Sequence, residues 1–180
     1  MPTTLGSQAN TAYRATIQLR DGRPAEIRAL REEDAEGLLK ATRRSSPEST
    51  YKRFFSAKRG FSADEVRHFT RLDFDDHVAL VALLDELGKL TIVAGARYIA
   101  LNREKAEVAF WVIDEYQGLG LGSALLHHLG VVARNSGFKM LEADVLTENS
   151  AMLGVFRRSP WKTCFIQRSD IVRVIIALNE

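Results

Sequence analysis

The stretch Val112-Ile113-Asp114-Glu115-Tyr116-Gln117-Gly118-Leu119-Gly120-Leu121-Gly122-Ser123 constrains this chain more than any other. An apolar strand, Ala109-Phe110-Trp111-Val112-Ile113, enters a glycine-rich turn, and the turn opens an apolar-periodic helix beginning Ala124-Leu125-Leu126. Glycine permits the sharp bend and lets bare backbone N–H groups approach an anion, while a helix start adds a partial positive charge. A phosphate or pyrophosphate is the natural guest. Spacing excludes two common alternatives. A dinucleotide fingerprint from Gly118 needs glycine at position 123, which is Ser123, and a P-loop needs a Lys-Ser/Thr pair that is absent. What fits is Gln-x-x-Gly-x-Gly, on Gln117, Gly120 and Gly122. With Gly118 added, glycines alternate through the turn, more than a plain strand–helix corner needs, since glycine inside a first helical turn costs about 1 kcal/mol relative to alanine.

The flanking sequence predicts one α/β domain. Alternating runs over residues 15–20 and 25–30 enclose Asp21-Gly22, a hairpin signal. Three helical segments are expected next. The first covers residues 32–44, with Ala35, Leu38, Leu39 and Thr42 on one stripe. The second opens at Ser46-Pro47-Glu48, with proline at the first helical position. The third opens at Ser62-Ala63-Asp64-Glu65, a capping box in form, and turns Val66, Phe69 and Thr70 inward. Apolar strands over 78–84 and 90–101 follow, then the strand into the glycine turn and its helix, a strand over 138–145, a helix from Glu148, and strands over 163–166 and 172–178. Strands first, then strand–helix–strand–helix–strand, implies a mixed sheet with helices packed on it. Residues 1–12 are small and polar and read as a flexible arm before a domain spanning 13–180.

Composition narrows the function classes. A net charge of +2 is too small to argue for nucleic acid. The single cysteine, Cys164, rules out an internal disulfide and reads as an inert core residue. Neither a membrane span nor a signal pattern is present, so a cytoplasmic location is expected. His68, His77, His127 and His128 have no Cys or His partner at ligand spacing, so no metal is expected.

Taken with its context, Gln-x-x-Gly-x-Gly resembles the acyl-CoA pyrophosphate loop of the GNAT superfamily of N-acetyltransferases. A second anchor lies downstream. Asn149, Met152, Val155, Phe156 and Trp161 fall at the spacings of that superfamily's N-x-x-A-x-x-L-Y-x-x-x-G-F helix. Two positions depart: Phe156 stands where tyrosine is usual, and Ser159-Pro160-Trp161 replaces the x-Gly-Phe corner. The resemblance implies a single GNAT-like domain with a mixed, mostly antiparallel sheet, and acetyl-CoA as co-substrate. Backbone N–H groups of Gln117, Gly118, Leu119, Gly120, Leu121, Gly122 and Ser123 would hold the pyrophosphate. Backbone groups of Trp111, Val112 and Ile113 would pair with pantetheine as though it were an added strand. Asn149 would contact the same arm; it also reads as a plain helix N-cap, and the two roles are compatible. Phe156 would line the cofactor site, and the Pro160-Trp161 corner would reshape its acyl end.

The acceptor side turns on Glu107. Attack on a thioester needs a neutral amine, and a lysine amine titrates near 10.4, so a base must take its proton. Period-2 alternation puts Glu107 on the face of Ala109, Trp111 and Ile113, where partial desolvation would suit it to that work. The bland alternative is a solvated carboxylate near the strand's start. Many GNAT enzymes use a glutamate on this strand as base, and the resemblance implies that role for Glu107. No general acid is assigned: Phe156 cannot donate, and a thiol titrating near 8.5 leaves tolerably as thiolate.

Beyond the cofactor motifs, Leu19-Arg20-Asp21-Gly22, the segment 27–34, the segment from Ser46-Pro47-Glu48-Ser49 to Arg53-Phe54-Phe55, and Ala94-Gly95-Ala96-Arg97-Tyr98 resemble the acetyltransferase domain of bacterial Pat-type protein-lysine acetyltransferases. That implies a protein substrate, with AMP-forming acyl-CoA synthetases as the type case. Between positions 43 and 71, Arg43, Arg44, Lys52, Arg53, Lys58, Arg59, Arg67 and Arg71 outnumber Glu48, Asp64 and Glu65. Such a patch suits an acidic partner surface or the CoA phosphates, and equally a solvated helical face. Two other functions compete: acetylation of a small amine, and a non-catalytic acyl-CoA-binding module.

Overall fold

A computed structural model describes residues 4–48 and 62–178. Its centre is β3 (His77–Glu86), paired with β4 (Lys89–Ala100). Residues 78–84 of β3 are all buried, which is why that run is continuously apolar: helices cover both faces of the sheet there. The hairpin β1 (Arg14–Gln18) and β2 (Pro24–Ala29) adds to one side of β3, turning through Gly22 at φ +86°. On the other side lie β5 (Lys105–Val112), β6 (Met140–Leu146), β8 (Ile171–Ala177) and, at the edge, β7 (Lys162–Arg168). The sheet has eight strands in the order β1-β2-β3-β4-β5-β6-β8-β7, all neighbours antiparallel except β5 and β6.

Helices α2 (Ala35–Arg43) and α3 (Ala63–Thr70) cover the face that carries Ile92 and Arg97. The capping box read at the start of α3 is formed: Ser62 Oγ accepts from the Glu65 N–H at 3.2 Å, and the Ser62 N–H donates to Glu65 Oε2 at 2.8 Å. Helices α4 (Leu121–Asn135) and α5 (Ser150–Arg157) cover the opposite face, where Phe110 meets Phe156 edge-on with ring centroids 5.7 Å apart. Pro47 and Glu48 are helical, as their signal required; the rest of that segment, with Lys52, Arg53, Phe54, Phe55, Lys58 and Arg59, lies outside the described residues.

The polar N-terminal segment contains a helix, α1 (Thr4–Thr11), where fraying was expected. The physical reason is one side chain: buried Asn10 donates to the Phe74 carbonyl and to Ser136 Oγ, each at 3.0 Å. Among the described residues no helix is long and apolar enough to cross a membrane.

Candidate active site

The glycine turn sits where β5 hands over to α4. Gly118 and Gly120 take φ +78° and +97°, and Gly120 is the N-cap of α4. The carbonyls of the turn are already engaged, that of Gly120 by the Ala124 N–H at 3.0 Å. Arg20, at the hairpin tip, donates its N–H to Leu119 O at 3.1 Å and its Nη1 to Gly118 O at 3.2 Å. With the carbonyls so held and no side chain capping the helix, the first N–H groups of α4, from Leu121, Gly122 and Ser123, remain for an anion. Gly122 has a different reason from the other two. A Cβ there would lie 3.1 Å from Val155 Cγ2, so this glycine lets α4 and α5 pack closely beneath the turn.

A wedge leads away from that N–H cradle. β5 pairs with β6 only over Lys105–Met140, Ala106–Leu141 and Glu107–Glu142, whereas β6 continues with β8 to its end. Beyond Glu107 the two strands part, and the opening is part of a cleft of about 610 Å³. Phe110 and Val112 from β5, Ala143 and Val145 from β6, Phe156 from α5 and Asn149 just before it all line it. From Glu107 to Val112 the open edge runs about 17 Å at ~3.4 Å per residue.

The edge corrects one expectation. Ile113 gives its N–H to Val93 O at 3.0 Å and is fully buried. Backbone groups alternate sides along a strand, so Trp111 faces β4, where it pairs with Gly95. Phe110 and Val112 therefore turn their N–H and C=O groups to the wedge, in place of the expected trio Trp111, Val112 and Ile113. The Val112 carbonyl also accepts from Gln117 Nε2 at 3.2 Å, which ties the motif's glutamine to the strand it follows. Trp111 contributes its side chain: a Cβ on Gly95 would come within 2.6 Å of the indole Nε1, so the ring lies flat on Gly95.

Asn149 is the N-cap of α5, its Oδ1 accepting from the Met152 N–H at 3.1 Å. Its Nδ2 donates to no described residue, and the residue lines the cleft. Phe156 is 1% exposed and backs the cleft against Phe110. Glu107 stands at the vertex of the wedge, the last residue at which β5 still pairs with β6. It lines the cleft, but it is exposed rather than desolvated. The charged strand start wins over the apolar face because Arg97, Glu142 and Arg173 surround it with charge.

A second charged group braces the far wall. Arg44, just past α2, holds Glu86 through both carboxylate oxygens at 2.9 and 3.0 Å and Glu115 at 2.9 Å, and the Tyr116 hydroxyl donates to Glu86. The guanidinium and the phenol together pull the Glu86 carboxyl down to about 2. A depressed carboxylate stabilises the fold above its ordinary range, and that contribution is lost as pH falls from about 4.5 toward 2. With the Arg44 and Glu86 side chains 29% and 27% exposed, we expect about 1–2 kcal/mol from it. Thermal melts of wild type and Glu86→Gln between pH 6 and 3 check this. The wild type should lose its advantage on acidification, and parallel curves would refute the assignment.

Two further expectations are corrected. Cys164 is exposed on the edge strand β7, because beyond β7 no described element covers it. Trp161 does not shape the acyl end: its indole lies against Gly130 of α4, 2.7 Å from where a Cβ would stand, and stacks with His127. Reading the sequence missed Arg20, Arg97 and Arg158, all of which line the cleft. The one signal for Arg20 was its place beside the Asp21-Gly22 turn. Among the described residues no cluster of three or more His, Cys, Asp or Glu is placed to hold a metal ion.

Comparison with known proteins fits this geometry. The sequence profile of the acetyltransferase (GNAT) family matches residues 43–159. The chain is 38% identical over 135 residues to the acetyltransferase PA5475 of Pseudomonas aeruginosa, covering 74% of this chain and 73% of that protein. It is 35% identical over 144 residues to the acetyltransferase Pat of Mycolicibacterium smegmatis, covering 79% of this chain and 42% of Pat, so it spans less than half of that relative. The crystal structure of the GNAT domain of S. lividans PAT superposes with a TM-score of 0.81 at 35% identity, over 91% of this chain and 96% of that one. Its turn, its parted strands and these relatives make the chain a member of the GNAT family and an N-acetyltransferase.

Proposed function

We propose that the protein transfers the acetyl group of acetyl-CoA to the side-chain amine of a protein lysine, with Glu107 as general base. One observation carries the reading. The open edge of β5 joins an N–H cradle at one end to a carboxylate at the other, along a line suited to an extended amide-bearing arm. The N–H groups of Leu121, Gly122 and Ser123 hold the pyrophosphate, and Arg20 adds charge there. Phe110 and Val112 pair with pantetheine, and Asn149 donates its free amide hydrogens to the same arm. Bound in this way, acetyl-CoA supplies an acyl group activated as a thioester. Glu107 takes one proton from the acceptor ammonium, directly or through a water. The neutral amine then attacks the thioester carbonyl, and the C–S bond breaks with CoA leaving as thiolate. The new amide nitrogen gives its extra proton to solvent. The Pat-type resemblance of residues 19–22, 27–34, 46–55 and 94–98 favours a protein acceptor over a small amine.

Acetyl-lysine mass spectrometry on a bacterial lysate incubated with the protein and acetyl-CoA tests this, with Glu107→Gln as control. The expected result is a restricted set of lysines whose acetylation requires Glu107. Acetylation indistinguishable from the control, together with turnover of small amines, would replace the protein acceptor by a small molecule.

A further inference from the structure

Arg97 is a charged residue of the cleft whose guanidinium has no polar partner among the described residues. The other half-buried arginines among the described residues have carboxylate partners: Arg28 holds Asp34 at 2.7 and 2.8 Å, Arg44 holds Glu86 at 2.9 and 3.0 Å, and Arg173 holds Asp144 at 2.7 and 2.8 Å. Arg97 is half-buried, yet among the described residues its side chain makes no ion pair and donates no hydrogen bond. Its guanidinium sits over the Phe69 ring, 4.5 Å from the centroid. A ring face takes up no N–H in a conventional hydrogen bond, so that contact leaves the donors along the guanidinium edge unpaired.

Register puts this edge beside Glu107. On β4 and β5 the facing pairs are Arg97–Ala109 and Ile99–Glu107, so Arg97 and Glu107 are diagonal neighbours on one face, with backbones roughly 7–8 Å apart. Small Ala109 leaves room between them. Both line the main cleft, and with Ile99 and Ala109 they also enclose a recess of about 70 Å³. A water occupies about 30 Å³ of liquid, so the recess has the size of a carboxylate or carboxamide. Burial works against the Arg97 charge and the nearby Glu107 offsets it without a direct pair, so an incoming carboxylate would relieve that cost with a bidentate one.

We propose that Arg97 selects the acceptor by binding a carboxylate carried close to the amine that Glu107 deprotonates. The acceptor class is then an amine with a neighbouring acid: in a protein, a lysine flanked by Asp or Glu. Wholly cationic acceptors are disfavoured, because Arg97 repels them. This rests on Glu107 as the base, and the acceptors below separate it from the choice of a protein substrate.

The test compares lysine peptides bearing Asp or Glu beside the lysine with their Asn or Gln counterparts, and free lysine with cadaverine, which lacks the carboxylate. Wild type, Arg97→Gln and Arg97→Lys are assayed by kcat/KM. Wild type should favour the acidic member of each pair by about 10–100-fold, the scale of one charge-assisted hydrogen bond. Arg97→Gln should bring that ratio close to one, and Arg97→Lys should keep part of it. Equal rates on acidic and neutral peptides in wild type overturn the proposal. So does an Arg97→Gln enzyme that is slower but keeps the full ratio, since Arg97 would then act through Glu107. Unmodified peptides, with an Arg97-dependent preference for lysine over cadaverine, support Arg97 and overturn the protein acceptor. No transfer to any acceptor overturns both.

Discussion

Glu107→Gln should lower turnover roughly 100-fold or more while leaving the affinity for acetyl-CoA as it is. Glutamine keeps the size and the hydrogen-bonding reach of the side chain but cannot hold a proton at neutral pH. Since Glu107 is exposed at the vertex of the wedge, its role depends on position beside the acceptor amine more than on burial. A second signature follows from the chemistry of that amine. A lysine ammonium titrates near 10.4, so raising the pH supplies neutral amine from solution and narrows the gap between variant and wild type. Initial rates from pH 7 to 10, with acetyl-CoA binding measured by calorimetry, check both statements. A variant that loses CoA affinity in proportion to turnover would make Glu107 a structural residue of the cleft. A gap that stays constant with pH would remove it as the base.

The features that could be read directly from the sequence are those set by neighbours along the chain. The capping box of Ser62 and Glu65, the Asp21-Gly22 hairpin and the positive φ of Gly118 and Gly120 each follow from local backbone geometry. Features that depend on two distant segments were hidden. That β5 and β6 part after Glu107 depends on strands far apart in the chain: β5 stays with β4 to Val112 while β6 stays with β8 to Leu146. That Gly122 serves packing depends on Val155, and that Gly95 is required depends on the Trp111 ring. Alternation correctly placed Glu107 on the face of Ala109 and Trp111, but alternation is silent on charge across the sheet, so it gave burial where Arg97 and Glu142 bring exposure and polarity. Asn10 was hidden for the same reason: its partners, Phe74 and Ser136, are 64 and 126 residues away.

The other large effect concerns Gly120, where conformation and ligand binding meet. Its φ of +97° ends the turn and starts α4, so one residue sets the direction of the Leu121, Gly122 and Ser123 N–H groups. Alanine in a left-handed conformation costs about 1–2 kcal/mol. A Gly120→Ala protein either bears that strain or relaxes toward helical φ, and relaxation swings the N–H groups away from a common anion. We expect the Kd for CoA to rise about tenfold or more, which corresponds to ~1.4 kcal/mol, with turnover at saturating acetyl-CoA changed far less. Gly120→Asn should bind better than the alanine variant, because asparagine tolerates the left-handed region. Gly122→Ala provides the contrast. Its Cβ would press on Val155, 3.1 Å away, so its main effect should be on the melting temperature, through the contact between α4 and α5. Calorimetric titration with CoA and thermal melts of the three variants separate these effects. If Gly120→Ala binds CoA as wild type does, the pyrophosphate is not held by the start of α4, and the cradle must be sought along the cleft at Arg20 and Arg158.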